Sequence, residues 1–201
     1  MKTIEELVSN GIIAVIPLYI NMEGNSTKVI TKNQNEEHIY KSIKTFIALL
    51  AKYFMIDINS SRQYYGRIIG ITNIVPLPFN KDNIFVPLKV RKPISKNDGS
   101  FGYFNICCIK EIIEKSNKVY ISLEKEYCIE ILQGIESAKR NIRNAHIVKQ
   151  AYYKRNGVTV MEEQGFYGEL SKPATKGDIA ALRNELLDIK INLLKSTHTS
   201  V

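Results

Sequence analysis

The chain has 201 residues, 28 Lys and Arg against 20 Asp and Glu, a formal net charge of +8, and 44% hydrophobic residues. That length fits one domain with an appended tail, or two small domains, and is enough to bury a real core. A charged fraction of 24% excludes a disordered polyelectrolyte, and the apolar runs fall far short of the roughly 18 residues that a membrane span needs.

In chain order, Met1 to Asn10 places Glu5 and Glu6 ahead of the apolar run Ile12 to Ile16, which is not a secretory signal pattern. Gly11 to Tyr19, rich in Ile and Val, predicts a short strand ending at Pro17. Gly24-Asn25-Ser26 marks a turn, and Thr27 to Thr31 the returning strand. Ile39, Tyr40, Ile43, Ile47, Leu50, Ala51 and Phe54 recur at helical spacing and predict an amphipathic helix from Glu36 to Met55. Ser60 to Arg67 reads as a polar loop. Strands are expected over Arg67–Val75, Asn83–Val90, Phe104–Ile113, Lys118–Leu123 and Tyr127–Leu132, the last two as a hairpin with a three-residue loop. Ile135, Ala138, Ile142, Ala145 and Tyr152 predict a helix from Gly134 to Lys154. The sum is an α+β domain over residues 1–155: a mostly antiparallel sheet with helices packed on it.

Periodicity then disappears, and residues 156–174 read as a linker carrying Phe166 and Tyr167. Thr175 can cap a further helix, 175–195, in which Ile179, Leu182, Leu186, Ile189 and Leu193 step by three and four. This coiled-coil-like seam is the expected oligomerisation element, with Glu185 and Lys190 suited to a parallel partner. The competing reading is a helix that docks back on its own domain.

Few residues invite catalysis or metal binding. His38, His146 and His198 are scattered, with no HExxH and no Cys pair at ligand spacing. Walker, GxGxxG and GxSxG motifs are missing, so no cofactor, no metal and no enzymatic activity are expected. Cys107, Cys108 and Cys128 cannot pair fully and suit buried free thiols in a reducing compartment, which places the chain in the cytoplasm.

Cations are the stronger signal. Lys81, Lys89, Arg91, Lys92 and Lys96 face a single acid, Asp82, between residues 81 and 96. Lys139, Arg140, Arg143, Lys149, Lys154 and Arg155 decorate the predicted helix, with Lys139, Arg143, His146 and Gln150 on one face. Arg62 and Arg67 lie near Tyr64 and Tyr65 as a guanidinium–aromatic cluster. Clusters of one sign suit a polyanion. Arg67, Lys89, Arg91 and Lys92 are the expected DNA contacts, with Arg62, Lys96, Lys139, Arg140 and Arg143 positioning phosphates. Proline at 93 limits pairing beyond Lys92 and leaves a mobile basic loop able to enter a groove.

The order of motifs resembles the competence transcription factor ComK family over roughly residues 6–152. Asn10-Gly11 precedes Ile13-Ala14-Val15-Ile16-Pro17, and Ser26-Thr27-Lys28-Val29-Ile30 follows. Gly66-Arg67 is similar to the family's glycine-arginine step, Pro76-Leu77 to its proline-aliphatic pair, and Asn83-Ile84-Phe85-Val86-Pro87 to its aromatic-proline strand end. Lys118 to Ile121, Cys128 to Ile131 and the helix with Asn141, Ile142 and Arg143 look like its closing hairpin and helix; these last elements also loosely resemble LytTR output domains. The chain departs from the pattern at Val86 and Leu88, beside Pro87, and holds no tryptophan. The resemblance implies a multimeric transcriptional activator that binds double-stranded, A/T-rich promoter DNA through the minor groove and switches on DNA-uptake genes. RNA polymerase and a proteolytic adaptor are the further partners of such a regulator. The alternative is a non-enzymatic adaptor that recruits its partner through the C-terminal helix.

Overall fold

The computed structural model describes residues 2–158, except positions 21, 23, 34, 35 and 97, together with Arg183. The chain divides into two units, Met1–Val158 and Thr159–Val201. The expected linker beyond residue 158 and the seam of Ile179, Leu182, Leu186, Ile189 and Leu193 lie outside the described residues.

A short helix α1 (Ile4–Ser9) opens the first unit, held by a capping box in which Thr3 Oγ1 accepts from Glu6 N and Glu6 Oε2 from Thr3 N. Then come β1 (Ile12–Ile20), β2 (Gly24–Thr31) and β3 (Glu36–Ile39), followed by helices α2 (Ile43–Tyr53) and α3 (Ile58–Ile69). Strands β4 (Leu77–Pro78), β5 (Ile84–Lys89) and β6 (Phe101–Asn105) complete a six-stranded sheet in the order β3-β2-β1-β6-β5-β4, with every neighbouring pair antiparallel. A second sheet follows in the order β7-β8-β9 (Ile109–Lys115, Lys118–Leu123, Cys128–Ile131), and α4 (Ile135–Arg155) closes the unit. This is an α+β fold.

Both faces of the large sheet are buried, because alternate residues of its central strands belong to different cores. Val15, Val29 and Phe85 pack with Leu7, Phe46, Ile47 and Leu50 from α1 and α2. Ile84, Val86, Leu88 and Phe104 pack on the other side with Ala138 and Ala145 of α4 and Val119 and Ile121 of the small sheet. Tyr65 and Val75 meet Val148, fastening α3 to α4.

Several elements differ from the sequence expectation: β1 does not stop at Pro17 but runs to Ile20, and Gly24 to Ser26 open β2 instead of forming the turn. The helix predicted from Glu36 begins only at Ile43, where Ser42 Oγ accepts from Thr45 N; residues 36–39 instead pair with β2, whose edge would otherwise be open. The strand predicted over 67–75 is the end of helix α3 followed by an irregular turn from Gly70, and the loop predicted over 60–67 is that helix itself. Asp57 Oδ1 caps its first turn at 2.6 Å from Ser60 N, and Gly70, at φ 69°, ends it. Gly66 inside that helix answers to packing, since a Cβ there would collide with the Ile71 carbonyl oxygen. The predicted strand Phe104–Ile113 breaks after Asn105, whose side chain accepts from Cys107 N and donates to Ile12 O and Asp82 O. That side chain replaces ladder bonds, so the chain leaves one sheet through a tight turn (Ile106–Cys108) and enters the other. The predicted closing hairpin and final helix are present.

Candidate nucleic-acid interface

The β5–β6 connection is clamped to the β1–β2 hairpin. Arg91 is only 9% exposed. Its Nε donates to Gly99 O and its Nη2 to Asn25 Oδ1, both at 2.6 Å, while the guanidinium carbon lies 4.0 Å from the Tyr19 ring centroid. Asp98 completes the clamp by accepting from Tyr19 Oη at 2.5 Å, Asn25 Nδ2 at 3.0 Å and Ser95 N at 2.8 Å. Tyr19 Oη also accepts from Ile94 N. The Tyr19 and Ser95 bonds, more than the Arg91 charge, hold the Asp98 carboxyl below the ordinary carboxylate pKa. Burial lowers the Arg91 pKa, and Tyr19 and Asp98 oppose that shift.

Arg91 is therefore not the DNA contact its sequence context suggests. Its charge is desolvated and its donors face inward, so it organises the loop that carries its neighbours. What the loop presents outward is Lys92, Ile94 and Lys96; Ile94 is 81% exposed. The loop is held rather than loose, contrary to the expectation from Pro93.

A groove runs from the base of this loop along α3. Its first part, a cleft of about 490 Å³, has an apolar floor (Ile43, Ile47, Ala51, Phe101) and is lined by Lys44, Lys52 and Arg62. Its continuation, about 520 Å³, shares Asn59 and Arg62 and adds Gln63 and Arg67. Asn59, Arg62, Gln63, Gly66 and Arg67 fall on one stripe of α3 because they are spaced by three and four, while Tyr65 and Ile69 turn inward. Arg62 Nη2 lies 3.4 Å from Tyr103 Oη. The acid in the cleft, Asp57, is occupied in capping α3, and its bonds with Ser60 lower its pKa. Among the described residues, Lys44, Lys52, Arg62 and Arg67 form no ion pair.

The expected guanidinium–aromatic cluster does not form as drawn. Tyr64 stacks on Arg155 at 4.4 Å, and Tyr65 is buried, which raises its pKa. Lys89 ends β5 beside the start of α4, with its backbone N bonded to Gln133 Oε1 and its carbonyl to Leu132 N. Lys139, Arg140 and Arg143 are exposed on α4, and Lys139 is drawn to Glu136 at 3.3 Å. That helix covers the sheet face opposite to the one α2 covers, and its C-terminal half, not the turn that carries Lys139, Arg140 and Arg143, meets α3 at Val148 and Arg155. Lys44 and Lys52 escaped the sequence reading; their spacing of eight on the outer side of α2 was the available signal.

Cys108 is buried, and desolvation pushes its thiol up to about 12, whereas Cys107 and Cys128 are exposed rather than buried. Among the described residues no group of three His, Cys, Asp or Glu could hold a metal ion, and no helix is long and apolar enough to cross a membrane. No family model, curated protein or solved structure matches the chain.

Proposed function

We propose that this chain is a cytoplasmic DNA-binding regulator of transcription, of the competence-activator type, which reads A/T-rich promoter duplexes through the minor groove. The observation that carries this reading is the set of cations Lys44, Lys52, Arg62 and Arg67, without acidic partners among the described residues, in a groove that starts at Gly99 and Ser100, the base of the clamped loop that also carries Lys92 and Lys96. Phosphates displace condensed counterions when they meet such groups, giving affinity that falls steeply with salt. The loop adds shape. A narrow A/T minor groove concentrates negative potential and draws in Lys and Arg, and an apolar tip such as Ile94 can wedge between base steps.

The test is a binding titration of the full chain against A/T-tract and G/C-rich duplexes at two salt concentrations. Tighter A/T binding with a steep salt slope on both is the expected result. Equal affinity for both duplexes would remove the minor-groove reading, and no affinity for either would leave the adaptor alternative.

A further inference from the structure

Strands β3, β4, β7 and β9 end the two sheets, and they are not equivalent. The first sheet ends in strands of four and two residues, β3 and β4; β9 has four, and the chain just beyond it is bonded to β5 through Leu132 N and Lys89 O. β7 has seven residues, and among the described residues no strand pairs with its outer side. Short edges are protected by their brevity, whereas a long one is a template for another strand.

The turn after β7 fixes which way its main chain points. Ser116 and Asn117 have φ of 52° and 59°, the two-residue turn typical of tight hairpins. In such a hairpin Lys115 and Lys118 are a hydrogen-bonded pair, and alternation assigns Ile113 and Glu111 to the same set. The N–H and C=O of Ile112 and Glu114 therefore point away from β8. Among the described residues they have no backbone partner. The register shift at Lys110 ends the regular ladder, so the usable edge is Glu111 to Lys115.

The outer face of that edge reads Glu111, Ile113, Lys115, which is self-complementary when reversed. Ile113 is 36% exposed, an apolar residue between two opposite charges. Lys115 lies across from Lys118, whose amine is taken by Glu130, so within its own sheet Lys115 faces a like charge.

We propose that β7 pairs antiparallel with β7 of a second copy of this chain about a two-fold axis at Ile113, joining the two small sheets into one. Ile112 and Glu114 then exchange main-chain bonds with their counterparts. Ile113 meets Ile113 in the closer, non-hydrogen-bonded position, and each Lys115 lies opposite a Glu111. The interface is isologous and closes at two copies. It involves none of the groove or loop residues, so it stands whether or not the chain binds DNA.

The test uses the full chain without DNA. Sedimentation of Lys115→Glu or Glu111→Lys alone should show self-association weakened about tenfold or more, since both ion pairs become like-charge pairs. Mixing the two variants should restore association, because the two carboxylates on one chain's edge then face two lysines on the other's. Independently, Ile113→Cys should oxidise to a disulfide between two copies at position 113, as the non-hydrogen-bonded spacing of about 4.5 Å allows. A wild-type chain that stays monomeric, single variants that associate like wild type, a mixture that fails to recover, or the absence of a 113–113 disulfide would each overturn the proposal.

Discussion

The loop between β5 and β6 and the outer face of α4 are both basic strips in sequence, yet they fold into different objects. In the loop one cation, Arg91, is withdrawn from solvent and engaged in holding Gly99, Asn25 and Tyr19, which fixes where Lys92 and Lys96 stand. On α4 the cations Lys139, Arg140 and Arg143 stay solvated along a helix that would form without them, because its inner stripe of Ala138, Ile142 and Ala145 provides the packing. Charge density alone does not make a reading surface.

The largest expected effect comes from Arg91→Ala. It leaves Gly99 O and Asn25 Oδ1 without their donor in a partly buried setting, so stability should fall by about 1–3 kcal/mol in denaturant titration. Arg91→Lys should not rescue it, because one ammonium nitrogen lacks the planar fork whose Nε and Nη2 reach Gly99 O and Asn25 Oδ1 while the plane stacks on Tyr19. Full stability of the alanine variant would erase the distinction between the two strips.

A smaller effect separates the groove from the helix. Arg62→Ala with Arg67→Ala should leave stability unchanged, since both residues are exposed, and reduce the slope of log affinity against log salt by roughly two phosphate equivalents. Arg140→Ala with Arg143→Ala should change that slope less, because α4 covers the opposite face of the sheet. Equal changes in the two double variants would show that DNA engages both faces.

The sequence made the α+β class legible because the closing hairpin and α4 carry strong alternating and helical patterns. It hid α3, whose residues Ser60 to Arg67 offer little apolar periodicity; a capping aspartate three residues before Ser60 and a glycine at 70 were the signals present. Cationic character at Arg62, Arg67, Lys92 and Lys96 could be read directly. Their arrangement could not, because Arg91 is buried by partners 66 and 72 residues earlier, Asn25 and Tyr19, and no local pattern encodes such a contact. Nor could the sequence separate the α4 strip from the groove, since that depends on which face of the sheet each helix covers.

The smallest effect tests whether the loop's clamp is electrostatic as well as steric. Asp98 has a carboxyl pKa below the ordinary 3.8, with hydrogen bonds from Tyr19 and Ser95 as the leading causes and Arg91 adding attraction. A carboxylate favoured in the native state contributes stability fully above pH 3.8, and that contribution is lost as pH falls through the lowered native value. Acidification should thus loosen the loop below about pH 4 while the sheet persists, seen as exchange of the Ile94 and Ser95 amides, which donate to Tyr19 and Asp98. Asp98→Asn should abolish that acid step and leave a weaker clamp at neutral pH, since an amide oxygen accepts from Ser95 N less strongly than a carboxylate. A smaller step is expected for α4, whose shape is set by helix packing and where the Glu136–Lys139 pair is exposed. If the amides of the loop and of α4 respond to acid alike, the clamp is not what holds Lys92 and Lys96 in place.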